Sequence, residues 1–398
     1  MTRRLVALTT SYPLRPSSCA GVFVRNLYQN LPSDWTVEVV CPDDDGSIQN
    51  VCVDNPPIRH ARYAPRSWQR LAQQSGGLVS GMRQAPLRIV LIPALLIALT
   101  WQCARYAKRA DLIHANWALC GAIAVAVGRL IGVPVVTTLR GDDVTRASRS
   151  VLERLILSIA VRGSRRIVCV SAAMTEQVKM RYEKFAAKVC TCLNGVDDVF
   201  FHVSRKENSS GNIRVLSIGS LIPRKGYDIL IDAIALMRHR DRICVKIAGD
   251  GPYRSALLER AVQRQVVDRV DLVGEVPPAY VPELMSNADV FVLASRSEGR
   301  PNVVIEALAS GLPVISSRLP GVNGLVVEDL NGWLVDIGDS AELAAALDQS
   351  VEDEDERLRR GSAAREGMKK SGQTWLATGA RYSEIFSQAL LDVNEENG

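Results

Sequence analysis

The stretch ADVFVLASRSEGRPNVVIEALASGLPVISS (residues 288–317) carries a strand, a loop, a helix and a further strand in succession. ADVFVLAS and LPVISS are short apolar runs rich in β-branched residues, the pattern of strands buried on both faces. Between them Pro301 suits the first turn of a helix, and the helix predicted over Val303–Ala309 is apolar almost all round. A helix without a polar face is buried, so Glu306 in its middle does not simply sit in water. A buried carboxylate is costly unless it is hydrogen-bonded or paired. Glu298, eight positions earlier, falls in the loop before the helix. The free N–H groups and positive dipole end of that helix attract phosphate. Two carboxylates beside a phosphate site fit a hydroxyl-rich ligand. The competing reading makes Glu306 a cap for a neighbouring backbone segment.

The same alternation extends outward. Upstream, IRVLSIGS (213–220), ICVKIAG (243–249) and VDLVGEV (270–276) are predicted strands, and YDILIDAIALM (227–237) is a predicted helix. The first half repeats the scheme with LVALTT (5–10), VEVVC (37–41), DLIHAN (111–116), VPVVTTL (133–139) and RRIVCVS (165–171). Continuous β-branched runs separated by helices indicate parallel sheets built from βαβ units. A polar stretch from Asn194 to Gly211, containing KENSSG, reads as the hinge between the halves. The expected architecture is α/β: two doubly wound domains facing each other, with a ligand crevice at the carboxyl ends of both sheets. No GxGxxG fingerprint follows the first strand, which argues against a dinucleotide-dependent dehydrogenase.

In SIGSLIPRKG (217–226), Gly219 and Ser220 end a strand, where backbone approaches a ligand closely. Arg224 and Lys225 stand immediately before a helix start, where cations oppose the helix dipole. A bound anion explains that placement, because charge-assisted bonds to a diphosphate fix its geometry and neutralise a leaving group. Without an anion, the two are exposed loop cations.

The 398 residues suffice for two domains of ordinary size. A hydrophobic fraction of 47% and a charged fraction of 23% exclude a disordered chain. The longest apolar run, Ile89–Leu99, has 11 residues and contains Pro93, short of the ~20 a spanning helix needs. The apolar part of the N-terminus is too short for a signal peptide. Nine scattered cysteines form neither a disulfide framework nor a zinc pattern and read as reduced cytoplasmic thiols. Four histidines without ligand spacing argue against a metal. Asp43, Asp44 and Asp45 formally fit an Asp-x-Asp pattern, but no metal is expected there.

Residues 1–195 hold 25 Lys/Arg and 12 Asp/Glu, a balance of +13, whereas residues 196–398 hold 23 and 31, a balance of −8. Between Asn55 and Ala110 there are nine basic residues and no acidic one. Such asymmetry suggests different partners for the two halves. Neither a helix-turn-helix, a finger nor an aromatic-rich RNA motif accompanies the charge, so nucleic acid is not expected.

Together these motifs resemble those of the retaining family 4 glycosyltransferases of GT-B fold. The resemblance rests on Glu298, seven residues and Glu306 inside SEGRPNVVIEALASGLPVI. It also rests on GSLIPRKG, IAGDGP (247–252), NGVDDVF (194–200) and VFVLASRSEG. SYPLRPSSCAGVFVRNL, DLIHANWALCGA and VPVVTTLRGDD look like N-domain motifs of the same family. It implies an acceptor-binding Rossmann-like domain over 1–195, a nucleotide-sugar-binding one over 196–375, and a helix over 376–398 returning to the first. By resemblance, Glu306 would hold the ribose hydroxyls of a nucleotide-sugar and Glu298 would contact its sugar. Gly219, Ser220, Gly299, Arg300, Pro301, Asn302 and Val303 would line the donor. Arg224 and Lys225 would bind the diphosphate, and Gly21 would let it approach. A sugar would pass to an acceptor hydroxyl with retention and without a metal, the leaving phosphate taking the acceptor proton. A UDP-sugar is expected ahead of a GDP-sugar.

The family's His-Gly-x-Asp is here Arg140, Gly141, Asp142, Asp143. Arginine cannot act as a base at neutral pH, so Arg140 is expected in the diphosphate clamp, with Asp143 orienting it or the acceptor. His114, at the end of its strand, is the remaining candidate for a neutral imidazole. A nucleotide-sugar epimerase of the same architecture and a non-catalytic nucleotide-sugar binder are the alternative readings. Many relatives build lipopolysaccharide or other lipid-linked glycans, so a glycan or lipid-linked acceptor is expected. The stretch 55–110 brackets IVLIPALLIAL with arginines, Trp68 and Trp101. That composition suits partial insertion into an anionic leaflet, on the inner face of the plasma membrane. The alternative makes Ile89–Leu99 a buried helix of the N-terminal domain.

Overall fold

The computed structural model of the chain describes residues 2–15, 18–43, 56–69, 71, 86–206 and 211–397. Sequence readings that rest on Asp44, Asp45, Arg70, Arg83 or residues 207–210 lie outside them. The chain forms two compact units, Met1–Gly195 with Trp375–Gly398, and Val196–Thr374.

The first unit holds β1 (Arg3–Leu8), β2 (Trp35–Pro42), β3 (Ile58–Ala61), β4 (Leu112–Asn116), β5 (Val135–Leu139), β6 (Arg166–Cys169) and β7 (Val189–Thr191). They form one parallel sheet in the order β3-β2-β1-β4-β5-β6-β7. The second unit holds β8 (Ile213–Ile218), β9 (Ile243–Ala248), β10 (Val270–Gly274), β11 (Val290–Leu293), β12 (Val314–Ser317) and β13 (Gly332–Val335). Their order is β10-β9-β8-β11-β12-β13, again all parallel. Both are doubly wound sheets, and in each the strand order reverses once: between β1 and β4, and between β8 and β11. Loops leaving two such strands diverge and open a crevice at their carboxyl ends.

Side-chain alternation explains why these strands read as unbroken apolar runs. Leu5 and Ala7 of β1 join one core with Tyr382, Phe386 and Ala389 of the helix Trp375–Asn397. Val6 and Leu8 join the opposite core with Leu95, Leu99 and Cys103 of the helix Ile92–Ala107. In β11, Val290 and Val292 pack against the helix Tyr227–Leu236, whereas Phe291 and Leu293 pack against the helix Asn302–Ala309. Both strands thus bury both faces, as parallel sheets covered by helices require.

Three strands escape the sequence pattern: β3, β7 and β13 are three or four residues long. β3 and β13 lie at sheet edges and β7 closes the first sheet. β3 and β7 are covered less completely and need no apolar run, whereas β13 (GWLV) is apolar and mostly buried but too short to stand out. The apolar run beginning at Ile89 also departs from expectation, since the structure continues it to Ala107. Among the described residues, Ile89–Ala107 is long and apolar enough to cross a membrane by length and composition. Leu95, Leu99, Cys103 and Ala107, spaced at i+4, are nevertheless fully buried against the sheet. Ile97 and Trp101, on the other face, are 70% and 58% exposed. The segment is half core helix and half apolar surface.

The last helix is seated tightly on the first unit. A Cβ added at Gly379 would lie 1.9 Å from the Asn30 carbonyl oxygen. Gly379→Ala must therefore push the helix off its seat. Calorimetry should show a loss of about 1–3 kcal/mol, the usual cost of overpacking, and an unchanged melting profile would show that this docking is loose.

Candidate active site

The carboxyl ends of β8 and β11 bring the second unit's candidate residues together. After β8 the chain passes Gly219 and Ser220 into a 3₁₀ turn, Pro223–Lys225, closed by Gly226 in the left-handed conformation, φ +66°. A Cβ at Gly226 would lie 1.9 Å from the Ala294 carbonyl oxygen, so only glycine lets this turn rest on the end of β11. The Arg296 amide donates to the Arg224 carbonyl at 2.8 Å, and its guanidinium forms a two-pronged pair with Asp228 at 2.7 and 2.9 Å. Two loops of distant sequence are thereby fixed side by side.

That registration creates an ion cluster. The Lys225 ammonium donates to Glu298 Oε1 at 2.6 Å, and the Ser295 hydroxyl donates to the same oxygen at 2.9 Å. The Arg224 guanidinium lies 3.6 Å from Oε2 and donates to the Ser297 carbonyl at 3.1 Å. The Glu298 side chain is only 8% exposed. Burial alone would raise its pKa, but the Lys225 and Arg224 charges outweigh that and hold the carboxyl below its ordinary value. The cluster keeps one net positive charge.

Glu306 behaves differently. It sits within the helix Asn302–Ala309, and no hydrogen bond or ion pair reaches its carboxylate among the described residues. Burial, reinforced by the Asp197 carboxylate, pushes its pKa up to about 7. The backbone-capping role considered above is therefore not what the structure gives it. Pro301 precedes the helix, and no side chain caps its amino terminus. Val303 is half-buried. The Arg300 guanidinium turns instead to Gln373, donating to its Oε1 at 2.7 Å, so its side chain ties the loop to the end of the unit.

In the first unit, Arg140 follows β5, and its guanidinium donates to Asn116 Oδ1 at 2.6 Å and to Asn194 Oδ1 at 2.9 Å. It also lies 4.9 Å from the Phe23 ring centroid, a cation–π distance. Asp143 accepts from the backbone N–H groups of Ala118 and Arg140, both at 2.9 Å. It thus fixes the loop under Arg140 and is 2% exposed.

His114 is a correction. The imidazole is fully buried among Tyr28, Tyr382 and Phe386. Its Nδ1 lies 2.8 Å from the Tyr28 hydroxyl and its Nε2 2.8 Å from Thr138 Oγ1. Tyr28 already accepts from Asn116 Nδ2 at 2.8 Å, so its proton goes to Nδ1 and the ring donates from Nε2. Burial and the Arg140 charge keep the ring neutral, with its pKa well below the usual value. Both nitrogens are engaged inside the core, which removes His114 from contact with a substrate. Gly21 is also better explained by its own loop. At φ +71°, its Cβ would lie 2.4 Å from the Ser11 carbonyl oxygen, so the chain itself demands glycine there. Asp43 is paired with Arg62 at 3.2 Å and lies 3.4 Å from His60.

Residues 20–200 match Glycosyltransferase Family 4, and residues 200–367 match Glycosyl transferases group 1. The chain belongs to the family 4 glycosyltransferases. This glycosyltransferase is 27% identical over 278 residues to an uncharacterized glycosyltransferase of Methanocaldococcus jannaschii, spanning 69% of this chain and 76% of that one. It is 27% identical over 288 residues to the glycogen synthase of Mycobacterium tuberculosis, spanning 71% and 69%. In fold it is similar to Anabaena HepE, solved with UDP and glucose, with a TM-score of 0.76 and 19% identity over 97% of this chain and 100% of that one. The fold is GT-B.

Sequence reasoning missed Tyr28, Asn116, Asn194 and Ser295 of this glycosyltransferase. Asn116 had a signal: a polar residue ending a buried strand, followed by Trp117. Trp117 adopts φ +70°, a conformation costly for a bulky side chain and frequent where geometry serves function.

Glu306 gives a pH-dependent test of the site's electrostatics. The folded protein holds this proton more tightly than an unfolded chain with a carboxyl near 4.5. The stability it contributes is intact below pH 4.5 and lost as pH rises through about 7. Glu306→Gln should therefore match the parent at pH 5 and exceed it at pH 8 by up to about 3 kcal/mol, at 1.36 kcal/mol per unit. Parallel melting curves for the two proteins at both pH values would contradict this account.

Proposed function

We propose that this glycosyltransferase moves a sugar, with retention, from a nucleotide-sugar to an acceptor hydroxyl in the synthesis of a cell-surface polysaccharide or lipid-linked glycan. A UDP-sugar is the favoured donor. The observation that carries the reading is the pairing of opposites at one sheet end: Glu298 held ionised by Lys225 and Arg224, and Glu306, half-buried, with no hydrogen-bond partner among the described residues. Lys225 and Arg224 bind the diphosphate and stabilise charge on the leaving group. Glu306 accepts hydrogen bonds from the ribose hydroxyls, which supply the partners it lacks. Glu298, once the diphosphate draws Lys225, turns its freed acceptor capacity to the donor sugar. The leaving phosphate takes the acceptor proton on the same face, so the site needs diphosphate-stabilising cations more than a strong base, and no metal. Arg140, anchored by two asparagine oxygens and the Phe23 ring, holds a fixed positive charge for a diphosphate at the carboxyl end of β5. HepE, solved with UDP and glucose, supports a uridine donor, and the glycogen synthase relative supports a glycan acceptor.

Purified protein incubated with labelled nucleotide-sugars should transfer or hydrolyse the sugar; interconversion would favour an epimerase, and binding alone a silent receptor. Glu306→Ala and Lys225→Ala should weaken donor binding roughly ten- to a hundredfold, the loss of one charge-assisted contact at about 1.5–3 kcal/mol. Glu298→Ala should lower turnover more than donor affinity, and Arg140→Ala should impair turnover while the protein stays folded. Parental activity in Glu306→Ala would sink the donor-site assignment.

The acceptor is proposed to be lipid-carried, at the cytoplasmic face of a membrane. The support is the apolar surface of Val90, Ile97 and Trp101, flanked by exposed Lys108 and Arg109 and by Arg105 over the Trp101 ring. Such a face suits an anionic leaflet. Liposome flotation should show binding that needs anionic lipid and fades as salt rises past ~0.15 M. Equal recovery with neutral and anionic vesicles, or none with either, favours a soluble acceptor.

A further inference from the structure

A second basic site lies at the opposite, amino-terminal end of the first sheet. A cavity of about 630 Å³ is bounded by the first residues of β5 and β6, Val135 and Arg166, and by Gly128, Arg129 and Gly132 to Pro134. The ends of the helices Ala118–Ile131 and Val151–Gly163 also reach it. Arg129, Arg162, Arg165, Arg166 and Lys188 line it, against one carboxylate among its described lining, Asp392. Asp392 is held by Arg166 at 2.7 Å. Among the described residues, no carboxylate pairs with Arg129, Arg162 or Lys188.

Helix dipoles account for part of this charge. Arg129 and Arg162 fall in the last turns of two helices, where each carboxyl end carries about half a negative charge. Two such ends offset roughly one of the four net positive charges. Lys188 records the remainder. Its ammonium donates to the carbonyls of Arg162 at 3.0 Å and Ser164 at 2.7 Å. Even so, burial, then Arg165 and Arg129, push its pKa down to about 8. Like charges concentrated in a cavity focus a field that concentrates counter-ions. The described lining is aliphatic and glycine-rich between the cations, with no aromatic ring for a base to stack on. Guanidinium forks match phosphate oxygens in pairs. Arg140 stands at the other end of β5, about 16 Å away at ~3.3 Å per residue, so this site is separate from the one described above.

We propose that this cavity binds an anion presenting two or more phosphate groups, through Arg129, Arg162, Arg165 and Lys188. The phosphates come from a soluble diphosphate or from anionic lipid headgroups.

Titrating the full chain with inorganic pyrophosphate at low salt and pH 7 tests this directly. Arg224→Ala/Lys225→Ala removes the phosphate-binding cations of the second unit, and binding must persist in that protein. Adding Arg162→Gln/Lys188→Gln should weaken it at least tenfold, and the double variant alone should keep the parental melting profile and turnover. Binding should also take up protons near pH 8, seen as a buffer-dependent heat, because a bound anion favours the charged form of Lys188. Phosphatidylglycerol vesicles form the second arm. Vesicle binding that depends on Arg162 and Lys188, without pyrophosphate binding, supports the site and names the lipid headgroup as its source. Loss of all pyrophosphate binding in Arg224→Ala/Lys225→Ala together with no vesicle binding overturns the proposal, as does binding that ignores Arg162→Gln/Lys188→Gln.

Discussion

The second unit is organised around a buried negative charge that must not stand alone. Glu298 is almost wholly enclosed, and a carboxylate in that position is tolerated only with cations and donors around it. Supplying them forces the loop after β8 onto the end of β11, and glycine at 226 is what permits the backbone to come so close. The same demand repeats one layer out. A Cβ at Gly249 would strike the Gly219 carbonyl, and one at Gly321 would strike those of Glu298 and Gly299. Loops at the sheet's carboxyl end are thus nested backbone on backbone, and the ion cluster is their common centre. Glu306 is the counterpart without a cation beside it, and its partial burial together with the Asp197 carboxylate raises its pKa.

In the first unit the polar interior is continuous. Tyr382, Thr138, His114, Tyr28, Asn116, Arg140 and Asn194 form one chain of hydrogen bonds from the C-terminal helix to the loop carrying Asn194. Arg140, which can only donate, fixes the direction of the chain through Asn116 and Tyr28 to the neutral histidine, so the arginine is held by residues that never leave the core. The substitution of arginine for the family's histidine is thereby integrated into the core instead of standing as a surface change.

Much of this was legible in the sequence. Continuous β-branched runs gave the strands of both sheets because burial on both faces leaves no alternation. Glu306 stood out because its helix has no polar face, and Arg224 and Lys225 because they oppose a dipole. What was hidden depends on tertiary contact. β3 reads IRHA because an edge strand needs little apolar surface, and Arg300 looked like a ligand residue because Gln373 is 73 positions away. His114 read as a candidate imidazole because it stands near the end of its strand, but the C-terminal helix roofs it over. The run after Ile89 was cut short at Leu99 because polar residues begin there, although the buried face continues through Cys103 and Ala107.

The discontinuity of the first unit has a consequence for biosynthesis. Its sheet is complete once residue 191 has been made, but one core still lacks Tyr382, Ile385, Phe386 and Ala389. At about 5–20 residues per second, residues 196–374 take the ribosome roughly 10–35 s. Through that interval Leu5, Val37 and Trp35 have no roof, and His114 lacks the aromatic wall that excludes water from it. The unit that begins second can therefore finish folding first, and the earlier one stays open to chaperones or to wrong partners until the final helix leaves the exit tunnel.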